Sequence, residues 1–263
     1  VFPMFLFAAG AAIPFSYLRR VEAGITSRRQ EVIAGLKRMV ILIILGLVVN
    51  GIFAGGWGCC GENIRFASVL GRIGIAWFFA LLIALFFSRR GMVLWFAGIL
   101  IGYWAAMMLI PFPGGTAGSL EQGKNLADFI DQTLMPGRLY GINHDPEGLM
   151  GAIPAVATAL LGFFAGDLMR KSSKSELAKT GMLFVSGLAA VLIAEIWDIF
   201  FPVNKNLWTS SFVLMAGGIS LVTLAFFNLL MTTLHARTLC LFFIIIGMNS
   251  IAIYVVHSNF IDF

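Results

Sequence analysis

The stretch SVLGRIGIAWFFALLIALFF, residues 68–87, decides the fold. As a helix it is long enough to cross a hydrocarbon layer of about 30 Å, and it lacks the apolar–polar alternation of a half-buried strand. The rest of the chain agrees, with 59% of its 263 residues hydrophobic, 12% charged and a mean hydropathy of +0.92. Soluble domains carry about 25% charged residues, so lipid must be the solvent for most of this surface. Only helices and closed barrels satisfy every backbone group there, and continuous apolar runs of about 20 residues exclude the barrel. The sequence therefore predicts an all-α, polytopic membrane helix bundle of about eight transmembrane spans, near 1–18, 38–55, 67–88, 91–111, 149–169, 181–200, 207–231 and 239–258. Arg72 is the anomaly in the deciding stretch. A guanidinium inside a bilayer costs roughly 2.5–3.5 kcal/mol on insertion scales, so keeping it must bring a gain.

The remaining cations sort by loop. Arg19, Arg20, Arg28, Arg29, Lys37 and Arg38 fall in the first loop, Arg89 and Arg90 in the third, Arg170, Lys171, Lys174 and Lys179 in the fifth, and Arg237 in the seventh. The even loops hold only Arg65, Lys124, Arg138 and Lys205. Thirteen against four, in alternation, puts the odd loops in the cytoplasm. The net charge of +5 thus orients the chain in a lipid bilayer and gives no reason to expect nucleic acid. Three cysteines, with Cys59 and Cys60 adjacent, form neither a disulfide framework nor a metal-ligand spacing, and read as packing residues. Both ends fall in or near apolar runs and read as cut, which predicts a single transmembrane domain over 1–263 taken from a longer protein.

Two loops carry structure of their own. In the first, Ile25, Val32, Ile33 and Leu36 alternate with cations, as in a short amphipathic helix lying on the inner leaflet. The fourth, 112–148, is the only long loop and lies outside; its NLADFIDQTLM places Leu126, Phe129, Ile130 and Leu134 at helical spacing. Glycine pairs four residues apart, Gly51/Gly55, Gly98/Gly102 and Gly162/Gly166, predict close helix crossings.

The polar residues within spans are the candidates for function. Glu195 and Asp198 share one helix face and fall in the same half of the membrane as Arg72. One reading is a buried ion pair; the other is a polar cavity where Arg72 meets an anionic group or orients a reacting one. In NHDPEGLMGAIP, Asp145 reads as an N-cap, Pro146 as the first helical residue and Glu147 as a partner of the helix dipole, with His144 a solvated loop residue. PVNKNLWTSS brings Asn204, Lys205 and Asn206 ahead of Trp208, an interfacial anchor. GMNSIAIYVVHS places Asn249 and Ser250 near mid-membrane and His257 about two turns later.

VFPMFLFAAGAAIPFS, VLGRIGIAWF, DPEGLMGAIPA with the later LGFFAG, PVNKNLWTSSFVL and GMNSIAIYV, in this order, resemble the heparan-α-glucosaminide N-acetyltransferase family and its bacterial relatives. Gly71 stands where relatives often have Gln, and the family's catalytic His would lie upstream of Val1. The resemblance implies acetyl transfer from cytoplasmic acetyl-CoA to an amino sugar or glycan on the other side, in a bacterial inner membrane or, for a eukaryote, a lysosomal one. It makes Arg72, Asn249, Ser250 and His257 candidates for orientation and charge stabilisation. Asn204, Lys205, Asn206, Asp145 and Glu147 become candidates for binding the sugar, and Arg19, Arg20, Arg89 and Arg90 for meeting the phosphates of CoA. A transporter or flippase for an anionic or glycan-linked lipid is the competing class, an assembly subunit without chemistry a third, and a homo-oligomer is left open.

Overall fold

The computed structural model describes residues 2–50 and 64–233, together with 241, 243, 245–247, 249, 253 and 254. In chain order the elements are α1 (Phe2–Ala11), a π-turn (Pro14–Leu18), α2 (Arg19–Glu22), α3 (Arg28–Val48), α4 (Val69–Phe86), α5 (Arg89–Leu109), a two-residue hairpin of β1 (Leu120–Glu121) and β2 (Lys124–Asn125), α6 (Leu126–Leu134), α7 (Leu149–Lys171), α8 (Glu176–Asp198), α9 (Ser210–Asn228) and a second π-turn (Leu229–Thr233). Six helical stretches among the described residues are long and apolar enough to cross a membrane: Phe2–Glu22, Val69–Phe86, Arg89–Leu109, Leu149–Lys171, Glu176–Asp198 and Ser210–Thr232. The expected span at 239–258 falls largely outside the described residues, as do Cys59, Cys60, Gly51 and Gly55.

Hydroxyl and amide caps explain most helix starts. Ser68 accepts from Gly71 N at the head of α4, Ser88 from Gly91 N at α5, Asn125 from Asp128 N at α6, Ser175 from Ala178 N at α8 and Thr209 from Phe212 N at α9. Ser27 and Gln30 form a reciprocal capping box at α3. That box corrects the interfacial helix expected in the first loop. The capped helix runs unbroken from Arg28 to Val48, so Val32 and Leu36 are the first turns of a long helix whose basic half precedes its apolar half.

α7 runs through the centre, packed on α1, α4, α5 and α9. Its small residues let α1 approach closely: a Cβ on Gly162 would strike the Phe7 carbonyl, one on Gly166 the Ala11 carbonyl, and one on Gly10 the Ala159 carbonyl. Gly187 and Gly218 make a like contact between α8 and α9. Gly98 and Gly102 do not fit this pattern; a Cβ on either would meet nothing within 4 Å among the described residues. α5 presents these glycines to a face that no described residue covers.

The loops gather at two ends. At the basic end Lys171 pairs with Glu22 at 2.7 Å, Arg170 with Glu22 and the Pro14 carbonyl, and Arg89 with Asp167 at 3.4 Å. The opposite end collects residues 64–68, 110–148 and 199–209.

Candidate functional site

The site begins with the one long helix after the first loop that has no side-chain cap of its own. α7 starts at Leu149 behind Gly148. Four orphan N–H groups of a helix start need acceptors, and here the acceptor comes from another element. Asp131 of α6 accepts from Leu149 N at 2.7 Å and Met150 N at 3.4 Å, and its carboxylate lies so close to Gly148 that no Cβ would fit. The Asp131 carboxyl is pushed up to about 6, chiefly by burial, against the two backbone hydrogen bonds and the charge of Arg72.

This corrects the reading of DPEG as an N-cap. Asp145 lies three residues before the N-cap Gly148 and is buried, closing a turn by accepting from Glu147 N (2.9 Å) and Tyr140 N (3.0 Å). Its carboxylate takes Arg65 in a two-point clasp, Nε to Oδ2 at 2.8 Å and Nη2 to Oδ1 at 2.5 Å. Glu147 completes the ion triad from the other side of Nη2, and Tyr140 lies 4.9 Å beneath the guanidinium. Burial works against the charge of Arg65, and the Asp145 and Glu147 carboxylates more than offset it, raising its pKa. Two carboxylates and one fork, all largely withdrawn from water, staple the long loop to residues 64–65.

Arg72 sits one level deeper. Only 3% exposed, it donates from Nη2 to the Gly148 carbonyl at 3.0 Å, and its guanidinium carbon lies 5.2 Å from the centroid of the Trp208 ring. Nε and Nη1 are buried with no hydrogen-bond partner among the described residues. Gly151 is glycine because a Cβ would run into the guanidinium. The structure departs from the expected Arg72 ion pair with Glu195 or Asp198. Glu195 is exposed on α8, and Asp198 accepts from Val203 N at 2.5 Å. The carboxylates that bias Arg72 are Glu147, Asp131 and Asp145, because α4 packs against α7 and has no comparable contact with α8.

Trp208 is a core residue rather than an interfacial anchor, 1% exposed, with Nε1 donating to Thr158 Oγ1 at 3.2 Å and edge contacts to Phe2 and Phe212. Its φ of 53° is the one left-handed conformation of a non-glycine residue among those described, a local cost that surrounding structure must hold in place. The preceding turn does so. Asn204 Oδ1 accepts from Asn206 N (2.8 Å) and Leu207 N (3.3 Å), Thr209 Oγ1 bridges Asn204 N and the Pro202 carbonyl, and Tyr103 donates to the Leu207 carbonyl at 2.6 Å. Lys205 and Asn206 point away, exposed. PVNKNLW thus works as a mould that drives Trp208 onto Arg72.

The second α6 carboxylate, Asp128, accepts from Gly123 N (2.7 Å) and Asn125 Nδ2 (2.6 Å) and stands 2.9 Å from His144 Nδ1. His144 is buried, where the sequence suggested a solvated loop. Beside it opens a cavity of about 600 Å³ lined in part by Gln132, Arg138, Tyr140 and Asn143.

Over 99% of its length the chain is 27% identical to human heparan-α-glucosaminide N-acetyltransferase, and over 98% it is 27% identical to the mouse protein of that name. It is their distant relative. It spans about half, 47%, of the length of each, and no family model matches it.

Of the residues singled out from sequence, the structure brings together Arg72 with the turn after Asn204, and Asp145 with Glu147. Asn249 is exposed and donates to its own helix at Ile245 O, 3.0 Å away, while Ser250 and His257 lie outside the described residues. Arg19, Arg89 and Arg90 are exposed at the basic end, and Arg20 is clasped by Glu31 at 2.6–2.8 Å. A cavity of about 430 Å³ opens at this end between Arg28, Glu22, Lys171 and the α4–α5 turn. Arg65, Asp128, Asp131 and Tyr103 were not anticipated as site residues. Only the spacing of Asp128 and Asp131, three apart on a short helix, hinted that both could face one neighbour.

Proposed function

We propose that this chain forms the membrane-embedded part of an acetyltransferase that moves acetyl from acetyl-CoA to the amine of an amino sugar, with the basic end in the cytoplasm and the long loop outside. The similarity to two N-acetyltransferases over nearly the whole chain carries the reading. The geometry that suits it is the buried Arg72 head. Attack of an amine on a thioester carbonyl gathers negative charge on the carbonyl oxygen, and fixed donors in a dry site lower that barrier most. Arg72 holds Nε and Nη1 in reserve while Nη2 is anchored on Gly148 and the ring of Trp208 fixes the plane. In this reading Arg72 steadies the oxyanion, and Asn249, Ser250 and His257 keep the roles in orientation and charge stabilisation that the resemblance gives them. Asp145 and Glu147 act by holding the loop through Arg65, and Lys205 and Asn206, exposed on the outer turn, meet sugar hydroxyls beside Asn204.

Acetyl-CoA is the co-substrate. Its phosphates suit the exposed Arg19, Arg89 and Arg90 around the basic-end cavity, where Arg28 and Lys171 add charge and Arg20 stays locked on Glu31. The test is direct: the full-length protein, reconstituted in lipid, should bind acetyl-CoA and transfer labelled acetyl to glucosamine. Binding of neither, with no label on the sugar, would defeat the proposal.

A further inference from the structure

We propose that Glu22 stands in for the phosphates of the acetyl donor, holding the cations of the basic-end cavity until those phosphates displace it. The inference rests on the acetyl-transfer reading and deepens it, because it names the residue that regulates how tightly the donor is held.

The charges around the cavity carry the first half of the argument. Lys171 pairs with Glu22 at 2.7 Å and stands 3.5 Å from Asp167, which also faces Arg89 at 3.4 Å. Arg170 pairs with Glu22 and donates to the Pro14 carbonyl at 2.6 Å. Arg28 lines the same cavity, and its exposed side chain has no hydrogen-bond or ion-pair partner among the described residues. Four cations thus meet two carboxylates, an excess of two positive charges. A ligand with several phosphates is better matched once Glu22 has moved away. The placing of the cations agrees. Arg28 and Arg29 open α3, and Arg89 and Arg90 open α5, each pair directly behind the capping serine. Topology explains why they are cytoplasmic but not why they head helices, where the dipole disfavours a positive charge. An anion in the cavity that Arg28 and Ser88 both line removes that conflict.

The seat of Glu22 carries the second half. α2 has four residues, none of them buried, and it lies between a π-turn and Gly24, whose φ is 68°. An element with so few buried contacts shifts at small cost. The Glu22 side chain is 41% exposed, and ion pairs in contact with water are weak. Asp167, by contrast, is buried on α7 and stays where it is. Behind the charges the wall is apolar, formed by Leu18, Val21, Phe86 and Met92. A molecule with a phosphorylated head and a less polar body fits such a cavity. Acetyl-CoA is one source of that chemistry and an anionic phospholipid of the inner leaflet is the other, so the experiment has to separate them.

Binding of acetyl-CoA to the full-length protein in phosphatidylcholine nanodiscs is compared with binding of S-acetylpantetheine, which has the thioester but no phosphate. Glu22→Gln should tighten acetyl-CoA about fivefold, the scale of an exposed ion pair, and leave S-acetylpantetheine unchanged. Arg28→Gln should keep the wild-type thermal midpoint and weaken acetyl-CoA by a similar factor, again sparing S-acetylpantetheine. In nanodiscs that contain phosphatidylglycerol, native mass spectrometry should show no more lipid retained by Glu22→Gln than by the wild type. Acetyl-CoA binding unchanged by both variants, or changed equally for S-acetylpantetheine, would overturn the role of Glu22 while leaving acetyl transfer intact. So would a Glu22→Gln variant that gains phosphatidylglycerol and no affinity for acetyl-CoA, which would give the cavity to a lipid headgroup. A wild type that binds no acetyl-CoA would remove the broader reading and this one with it.

Discussion

At the scale of the residue, Arg72 shows what a buried cation gains. One of its nitrogens holds a helix start, a ring covers its face, and two donors meet no partner among the described residues. A Lys at this position offers a point charge without the planar fork. Arg72→Lys should therefore express and fold but lose acetyl transfer by about two orders of magnitude, the scale of a lost oxyanion donor; full activity in a folded variant would return Arg72 to a packing role. Asp131 makes a prediction about pH. Its carboxyl, near 6 in the fold against the ordinary 3.8, is harder to ionise folded than unfolded. The stability it confers is present below the unfolded value and is lost as pH rises through about 6, by up to about 3 kcal/mol. Asp131→Asn keeps an acceptor for Leu149 N and should flatten the unfolding free energy of the protein in detergent between pH 4 and 7. An unchanged slope would place the pH dependence elsewhere.

At the scale of the element, α7 is the part the others are built around. α1 lies against it through carbonyl contacts with Gly162, Gly166 and Ala159, which leave no room for added atoms. Gly162→Leu should cost about 1–3 kcal/mol through overpacking and lower the thermal midpoint, whereas Gly98→Ala, facing open space, should be neutral or slightly stabilising. A Gly162→Leu variant as stable as the wild type would mean that the α1–α7 crossing has room for added atoms.

For the whole molecule, the decisive linkage is between the loop end and the bundle. Arg65 holds Asp145, whose side chain is fully buried, and Glu147. Arg65→Gln would strand the two carboxylates, so it should destabilise by about 3–5 kcal/mol. Limited proteolysis is then expected to cut first within 112–148 while α8 and α9 stay intact; a cutting pattern like that of the wild type would mean that the triad does not hold the loop. The alternation of cations along the chain predicts the sidedness. A cysteine replacing Thr116, exposed in that loop, should react with an impermeant reagent added outside intact cells, and labelling only after permeabilisation would invert the topology.

Sequence determined the class of fold and most element starts, because hydrophobic length and local caps are short-range properties that lipid makes unambiguous. The serines ahead of α4 and α5 could be read without knowing any neighbour, and so could the helix over Leu126–Leu134. Tertiary structure decided the site. Asp145 in DPEG has the same local signature whether it caps a helix or not; an arginine 80 residues earlier drew it into an ion triad. The cap of α7 then came from Asp131, 18 residues upstream on another helix. The same held for Trp208, His144 and the partners of Arg72. Each is a polar or aromatic group whose free energy depends on what the bundle places beside it, and in a low-dielectric interior that neighbour decides between a cost and a function.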